Sequence, residues 1–274
     1  PDPVADPEFE GFARNVARFG ELAGEDVSSY AGYLAAHRSE RLRFKSMGAT
    51  ATDHGHPTAA TADLDPSACE ALYQKALSGT CSVAEAELFR GQMLTEMALM
   101  SLDDGLVMQI HSGSFRNHND RVFNRFGRDK GADIPQRTEY VNALKPLLDR
   151  VGNEPGLTVI LFTLDETNYS RELATLAGHY PCLRLGPPWW FHDSAEGMKR
   201  FREQTTETAG FFNTVGFNDD TRAFLSIPAR HDVARRVDCS FLARLVREHQ
   251  LGESEAAALA HELAYGLVKK AYRL

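Results

Sequence analysis

The spacing of apolar and polar positions divides the chain into a helical lead-in and a run of short strand-then-helix units. From Phe9 to Leu22 apolar residues recur at helical spacing, and Gly24 closes the segment. Ser28 or Ser29 can cap a second helix running through Tyr30, Leu34, Leu42 and Met47 to Gly48. Next, ATATD (49–53) predicts a short strand, followed by HGHPTAATADLDP, a loop punctuated by Gly and Pro. Residues 68–77 predict a helix. Ser82 and Glu85 form a capping-box pattern that opens another, running toward Met100.

From Gly105 the alternation is regular. Apolar runs predict strands at 106–111, 158–163, 183–186 and 214–219, with helical segments at 140–151, 170–176, after Ser194, and over most of 232–249 and 254–272. Strands alternating with helices imply an α/β fold with a parallel sheet and right-handed crossovers. The expected organisation is a helical lead-in, 1–47, and a strand-and-helix region, 48–274. Five βα units are too few for an eight-stranded barrel and would leave long parallel edges unpaired. Further sequence or another chain is expected to supply the rest.

Composition adds mostly exclusions. With 43% hydrophobic and 25% charged residues the chain reads as globular rather than disordered. A net charge of −8 argues against nucleic acid or an anionic membrane as the main partner. No apolar run approaches the roughly 20 residues that span a bilayer. The opening PDPVADPEFEGF has no basic n-region and no apolar h-region, so it does not read as a signal peptide. The four cysteines lack C-x-x-C spacing, which fits reduced thiols in a cytoplasmic protein.

The strand ends carry the candidate chemistry. GLVMQIHSGSFRN ends an apolar run in His111, with Arg116 just beyond, and barrel enzymes present their chemistry at such carboxyl-terminal strand ends. Arg116 has the planar fork that matches a carboxylate, although a solvated or ion-paired arginine has the same signature. His111 reads equally as a buried histidine bonded to backbone. Asp220 and Arg222 lie two apart at the end of the last run, a spacing that puts both on one side of a strand. An Asp there can hold a divalent metal or move a proton, while Arg222 neutralises an anion; a structural salt bridge is the plainer reading. Trp189, Trp190 and Phe191 follow two prolines and suggest either a sugar platform or core packing. His54 and His56 have H-x-H spacing, which fits a metal pair or one functional and one exposed histidine.

Taken together, TDHG (52–55), VMQIHSGSFRNHN (107–119), WWF followed by Asp193, DTRAFLS (220–226) and RHDVARR (230–236) resemble the uronate isomerases, or glucuronate isomerases, of the amidohydrolase superfamily. The likeness runs over nearly the whole chain and is to the C-terminal part of such enzymes, which are longer. It implies a (β/α)8 TIM barrel of which this chain supplies about five βα units plus extra helices. It implies interconversion of D-glucuronate with D-fructuronate, and of D-galacturonate with D-tagaturonate, by proton transfer between C2 and C1.

The same resemblance assigns Asp220 to a divalent metal, expected to be zinc, and to the proton of ring opening. His111 falls to the catalytic set, in contact with substrate or metal-bound water. Arg116 and Arg222 would hold the carboxylate or the enediolate charge, Trp189 and Trp190 would wall the sugar, and His54 would join the substrate-binding set. The family's metal-binding H-x-H belongs to an earlier strand, so that role is not transferred to His54 and His56. The implied partners are a uronate sugar and further copies of the chain, without nucleic acid or membrane. Two readings compete: a metal-dependent hydrolase of the same superfamily, and a non-catalytic truncated paralogue that binds uronates.

Overall fold

A computed structural model of the chain describes residues 2–189, 192–219 and 223–274. Trp190, Asp220 and Arg222 therefore lie outside the described residues. The elements follow in the order α1 (Asp2–Ala5), α2 (Phe12–Ala23), α3 (Tyr30–Ser46), β1 (Ala51–His54), α4 (Pro66–Ser78), α5 (Val83–Asp104) and β2 (Val107–His111). Next come β3 (Ser114–Phe115), α6 (Asp120–Phe126), β4 (Ile134–Pro135), α7 (Lys145–Val151), β5 (Val159–Phe162), α8 (Ala174–His179) and β6 (Leu183–Leu185). The chain ends with α9 (Ala195–Ala209), α10 (Ile227–Arg247), α11 (Glu253–His261) and α12 (Leu267–Tyr272). Two compact units result, Pro1–His111 with Glu139–Val159, and Ser112–Thr138 with Ile160–Leu274.

Local chemistry sets the helix limits in the first unit. Ser29 caps α3 by accepting from the Gly32 amide at 3.2 Å. Asp65 caps α4 by accepting from Ser67 and Ala68, with Pro66 at the first helical position where its missing N–H costs nothing. The capping box at Ser82 and Glu85 is present at the start of α5. Each such cap stabilises its helix by about 1 kcal/mol. The helices then meet through an aromatic stack, in which Tyr33 lies on Tyr73 at 4.8 Å between ring centres and Tyr73 on Phe89 at 6.2 Å. The buried hydroxyls of Tyr33 and Tyr73 donate to the carbonyls of Val4 and Val27, both at 2.6 Å, so the stack buries no unpaired hydroxyl.

Within this unit β1 and β2 pair in parallel, from Ala51 opposite Val107 to His54 opposite Ile110. The Met108 amide donates to the Thr158 carbonyl at 2.9 Å, at the head of β5. In the second unit the Gly186 amide donates to Leu161, setting β6 beside β5, and Leu185 bridges Thr214 in parallel. Read through these pairs the strand order is β1-β2-β5-β6. All four β5 residues are buried, as expected of a parallel strand covered on both faces.

Three sequence expectations need correction. The strand expected at 214–219 is reduced to the single bridge at Thr214, because Gly216 turns the chain with φ +73. A side chain at Gly216 would also meet the Leu263 carbonyl at 2.3 Å. The helix expected over 140–151 begins only at Lys145, and that over 170–176 opens with a π turn at Tyr169–Leu173. Apart from these, the stretch 117–137, to which the sequence assigned no element, contains α6, and β3 and β4 pair as an antiparallel ribbon.

Candidate active site

Register in the first unit brings three polar side chains together. Asp53 lies directly opposite Gln109, so the two side chains emerge on the same face, and His111 joins them by strand alternation. Gln109 Nε2 donates to Asp53 Oδ1 at 3.3 Å, and His111 Nδ1 makes a close hydrogen bond to the same oxygen. An ionised carboxylate only accepts, so the pairing puts the proton on Nδ1 and the imidazole lone pair on Nε2. His111 is buried, whereas the Asp53 carboxylate is half exposed. The group is a carboxylate-oriented imidazole at the carboxyl end of adjacent parallel strands, an arrangement able to give and take protons.

His54 has a different setting from the one its motif suggests. It follows Asp53 directly and so faces the other way, buried at 1% exposure, with Nε2 at 3.2 Å from Thr52 Oγ1. Burial, followed by neighbouring positive charge, drives its pKa well below the usual imidazole value, so it stays neutral. Its ring lies 6.2 Å from that of His56. His56 is also buried, with neither ring nitrogen hydrogen-bonded, and burial lowers its pKa to about 4.

In the second unit the β3–β4 ribbon carries Arg116 just past its paired strand. The turn leading into it requires Gly113 at φ +96, where a Cβ would strike Thr138 at 2.3 Å. The Arg116 guanidinium lies over the Trp189 ring at 5.9 Å, and the Asp133 carboxylate is 3.9 Å away. Asp133 also accepts from the Asn117 amide at 3.0 Å, which holds the ribbon tip in place. Two of the residues singled out in the sequence, 73 positions apart, thus form one cation–π pair. Arg116 remains half exposed, and a guanidinium held against an aromatic wall is suited to a carboxylated ring.

Two further anchors follow the WWF segment in sequence. His192 donates from Nε2 to the Leu164 carbonyl at 3.1 Å and faces Glu166 at 3.6 Å, and Glu166 also takes Arg200 at 2.8 Å. Asp193 and Asp219, the latter one residue before Asp220, both bond the guanidinium of Arg230 near the start of α10. Sequence reasoning quoted RHDVARR but gave Arg230 no role, and it passed over Asp53 as a partner for His111. Strand register is the signal that would have found the second.

Among the described residues no three His, Cys, Asp or Glu side chains are grouped so that they could hold a metal ion. The described donors do not make up a metal centre by themselves. No helix among them is long and apolar enough to cross a membrane.

Comparison with known proteins is unambiguous at the family level. The sequence model of the family described as glucuronate isomerase matches residues 1–272. A uronate isomerase of Phenylobacterium zucineum is 72% identical over all 274 residues, and one of Rhizorhabdus wittichii is 70% identical over the same span. The chain spans 57% and 59% of the length of these two curated relatives. The crystal structure of glucuronate isomerase from Caulobacter crescentus superimposes with a TM-score of 0.97 at 67% identity, covering 100% of this chain and 57% of that one. That of uronate isomerase from Thermotoga maritima gives 0.93 at 28% identity, covering 99% of this chain and 60% of that one. On these matches, and with an α/β fold and parallel sheet in common with its structural neighbours, the chain belongs to the glucuronate isomerase family.

Proposed function

We propose that the protein interconverts D-glucuronate and D-fructuronate, and D-galacturonate and D-tagaturonate, moving a proton between C2 and C1 through an enediol. The observation that carries the reading is the match to the glucuronate isomerase family across residues 1–272, in a chain whose strand ends hold an Asp53–His111 pair and an Arg116–Trp189 pair. His111, with Nδ1 turned to Asp53, works as the acid–base group from Nε2, a role worth roughly 10²- to 10⁴-fold in rate. Arg116 and Arg222 hold the uronate carboxylate and the developing enediolate charge, and Trp189 and Trp190 wall the sugar. Asp220 takes the hydroxyl proton in ring opening and is a ligand of a divalent metal, zinc. When bound, such an ion polarises a substrate oxygen. His54 is left out of the sugar site because of its burial.

The proposal extends to a (β/α)8 barrel to which this chain contributes five βα units, to a cytoplasmic homo-oligomer, and to a uronate sugar as partner without nucleic acid or membrane. Neither a hydrolase nor a non-catalytic uronate binder is favoured by the family match. The test is a coupled assay of the complete gene product with D-glucuronate and D-galacturonate, before and after metal removal and zinc restoration. Metal-dependent ketouronate formation is expected, and absence of turnover of both sugars would overturn the reading.

A further inference from the structure

We infer that Arg230 is a positioning residue that pins two chain segments, the one carrying Trp189 and the one leading into Asp220 and Arg222, to the start of α10. Its guanidinium bonds Asp219 Oδ1 through Nη1 at 2.6 Å and Asp193 Oδ2 through Nη2. The three side chains are 16%, 6% and 8% exposed for Arg230, Asp219 and Asp193, so the contacts are shielded from water rather than surface ion pairs. Exposed pairs of this kind contribute roughly 0–1 kcal/mol, whereas a charge left buried without its partner is strongly unfavourable. Arg230 presents two different nitrogens to two carboxylates, a geometry that a planar fork provides and a point charge does not.

The sequence positions give the clamp its consequence. Asp193 comes four residues after Trp189, and Asp219 immediately precedes Asp220. The second segment is held just before Asp219 as well, because Phe217 packs edge-on against His231 at 4.9 Å and Asn218 donates to the Tyr272 hydroxyl at 3.2 Å. His192, directly before Asp193, also ties the first segment to the Leu164 carbonyl. Arg230 bonds both segments at once, so releasing it loosens the anchor after Trp189 and the anchor before Asp220 together. Misplacement of reacting groups by about 1 Å costs on the order of 10²-fold in rate.

The catalytic part of this inference rests on the isomerase reading; the clamp itself does not. The experiment compares wild type, Arg230→Met, Arg230→Lys, Asp193→Asn and Asp219→Asn in the complete gene product, with Arg236→Met as a control that removes a charge from the exposed side of the same helix. Two readouts are taken: kcat and KM with D-glucuronate per folded molecule, and the acrylamide quenching of tryptophan fluorescence relative to wild type. Trp189 lies four residues before Asp193, and the quenching lost on Trp189→Phe isolates its signal from that of any other tryptophan in the complete gene product.

Arg230→Met is expected to lower kcat about 10²-fold with a smaller change in KM, and to raise quenching about twofold, while Arg236→Met changes neither. Each Asn variant is expected to show part of both effects, and these variants decide the matter if Arg230→Met does not fold. Arg230→Lys is expected to lie between, since it cannot bridge both carboxylates with a fork. If kcat and quenching stay within experimental error of wild type while only the melting temperature falls, the clamp is structural and the inference is wrong. Full rescue by Arg230→Lys overturns the two-point bridge. If wild type turns over no uronate, the isomerase reading fails, and quenching alone decides whether the clamp exists.

Discussion

Asp53 holds His111 by Nδ1 across two adjacent parallel strands, and it does so because register sets Asp53 opposite Gln109, two residues before the histidine. Neither side chain selects the other within its own segment. The pairing arises only when β1 and β2 align from Ala51 opposite Val107. A one-residue slip would turn the carboxylate to the opposite face and leave the imidazole without its orienting partner.

Asp53→Asn is expected to disable His111 without removing it. The Asn amide oxygen can still accept from Gln109 and Nδ1, but the variant lacks the negative charge that supports the imidazolium formed when Nε2 takes a proton. A loss of roughly 10²- to 10⁴-fold in kcat, with KM changed much less, is the expected result of steady-state assays with D-glucuronate. Activity within fivefold of wild type would exclude this acid–base assignment.

Arg116→Lys should weaken substrate binding more than chemistry. Lysine keeps the charge but loses the fork and the planar face that lies over Trp189. A rise in KM of about tenfold, corresponding to about 1.4 kcal/mol, is expected with both uronates. An unchanged KM would remove Arg116 from carboxylate recognition.

The buried histidines give the first unit a measurable pH dependence. Burial lowers the pKa of His56 to about 4, further influenced by Asp2, Asp6 and Arg90, and burial lowers that of His37 to about 3. In the unfolded chain each imidazole protonates near 6.5, so the unfolded state binds the extra protons first. Their contribution to stability is fully present above about pH 6.5 and is lost as pH falls toward the folded values. His56→Gln is expected to remove about one proton from the slope of unfolding free energy between pH 6.5 and 4, about 1.4 kcal/mol per pH unit. Denaturant titrations at several pH values measure it, and an unaltered slope would contradict the neutral buried state.

In the second unit Arg202 bonds Asp238 twice, at 2.6 and 3.1 Å, between α9 and α10, with both side chains buried. Arg202→Met should destabilise by about 3–5 kcal/mol because Asp238 is left charged and buried. Adding Asp238→Leu should recover much of the loss. Chemical unfolding of the single and double variants distinguishes this from simple loss of packing, which the second change would not repair.

Much of the architecture was legible because its signals are local. The run ending at Phe162 is apolar throughout, the one ending at His111 is broken only by Gln109, and both are short, as expected of covered parallel strands in an alternating α/β pattern. Ser82 and Glu85 specified the start of α5 through side-chain to backbone bonds within four residues. The short β3–β4 ribbon and α6 were hidden because the segment is polar and its order depends on long-range contacts such as Asp133 to Asn117. Of the residues singled out for the site, Arg116 and Trp189 meet in the structure. His54, placed in the sugar site by resemblance, is buried and faces the side of β1 opposite Asp53, which alternation within the strand already implied. Asp53 and Arg230 act through partners 58 residues away, and 11 and 37 residues away, so no spacing rule exposes them.

The two-unit organisation has a consequence for anyone wishing to dissect the protein. The chain passes between units after His111, after Thr138 and after Val159, and the last crossing falls inside β5. No single scission can release either unit as a continuous polypeptide, and a truncation at any one crossing divides at least one unit between the two products. The practical tool for separating their contributions is therefore circular permutation or segmental isotope labelling, with junctions chosen outside β5, rather than deletion of one end.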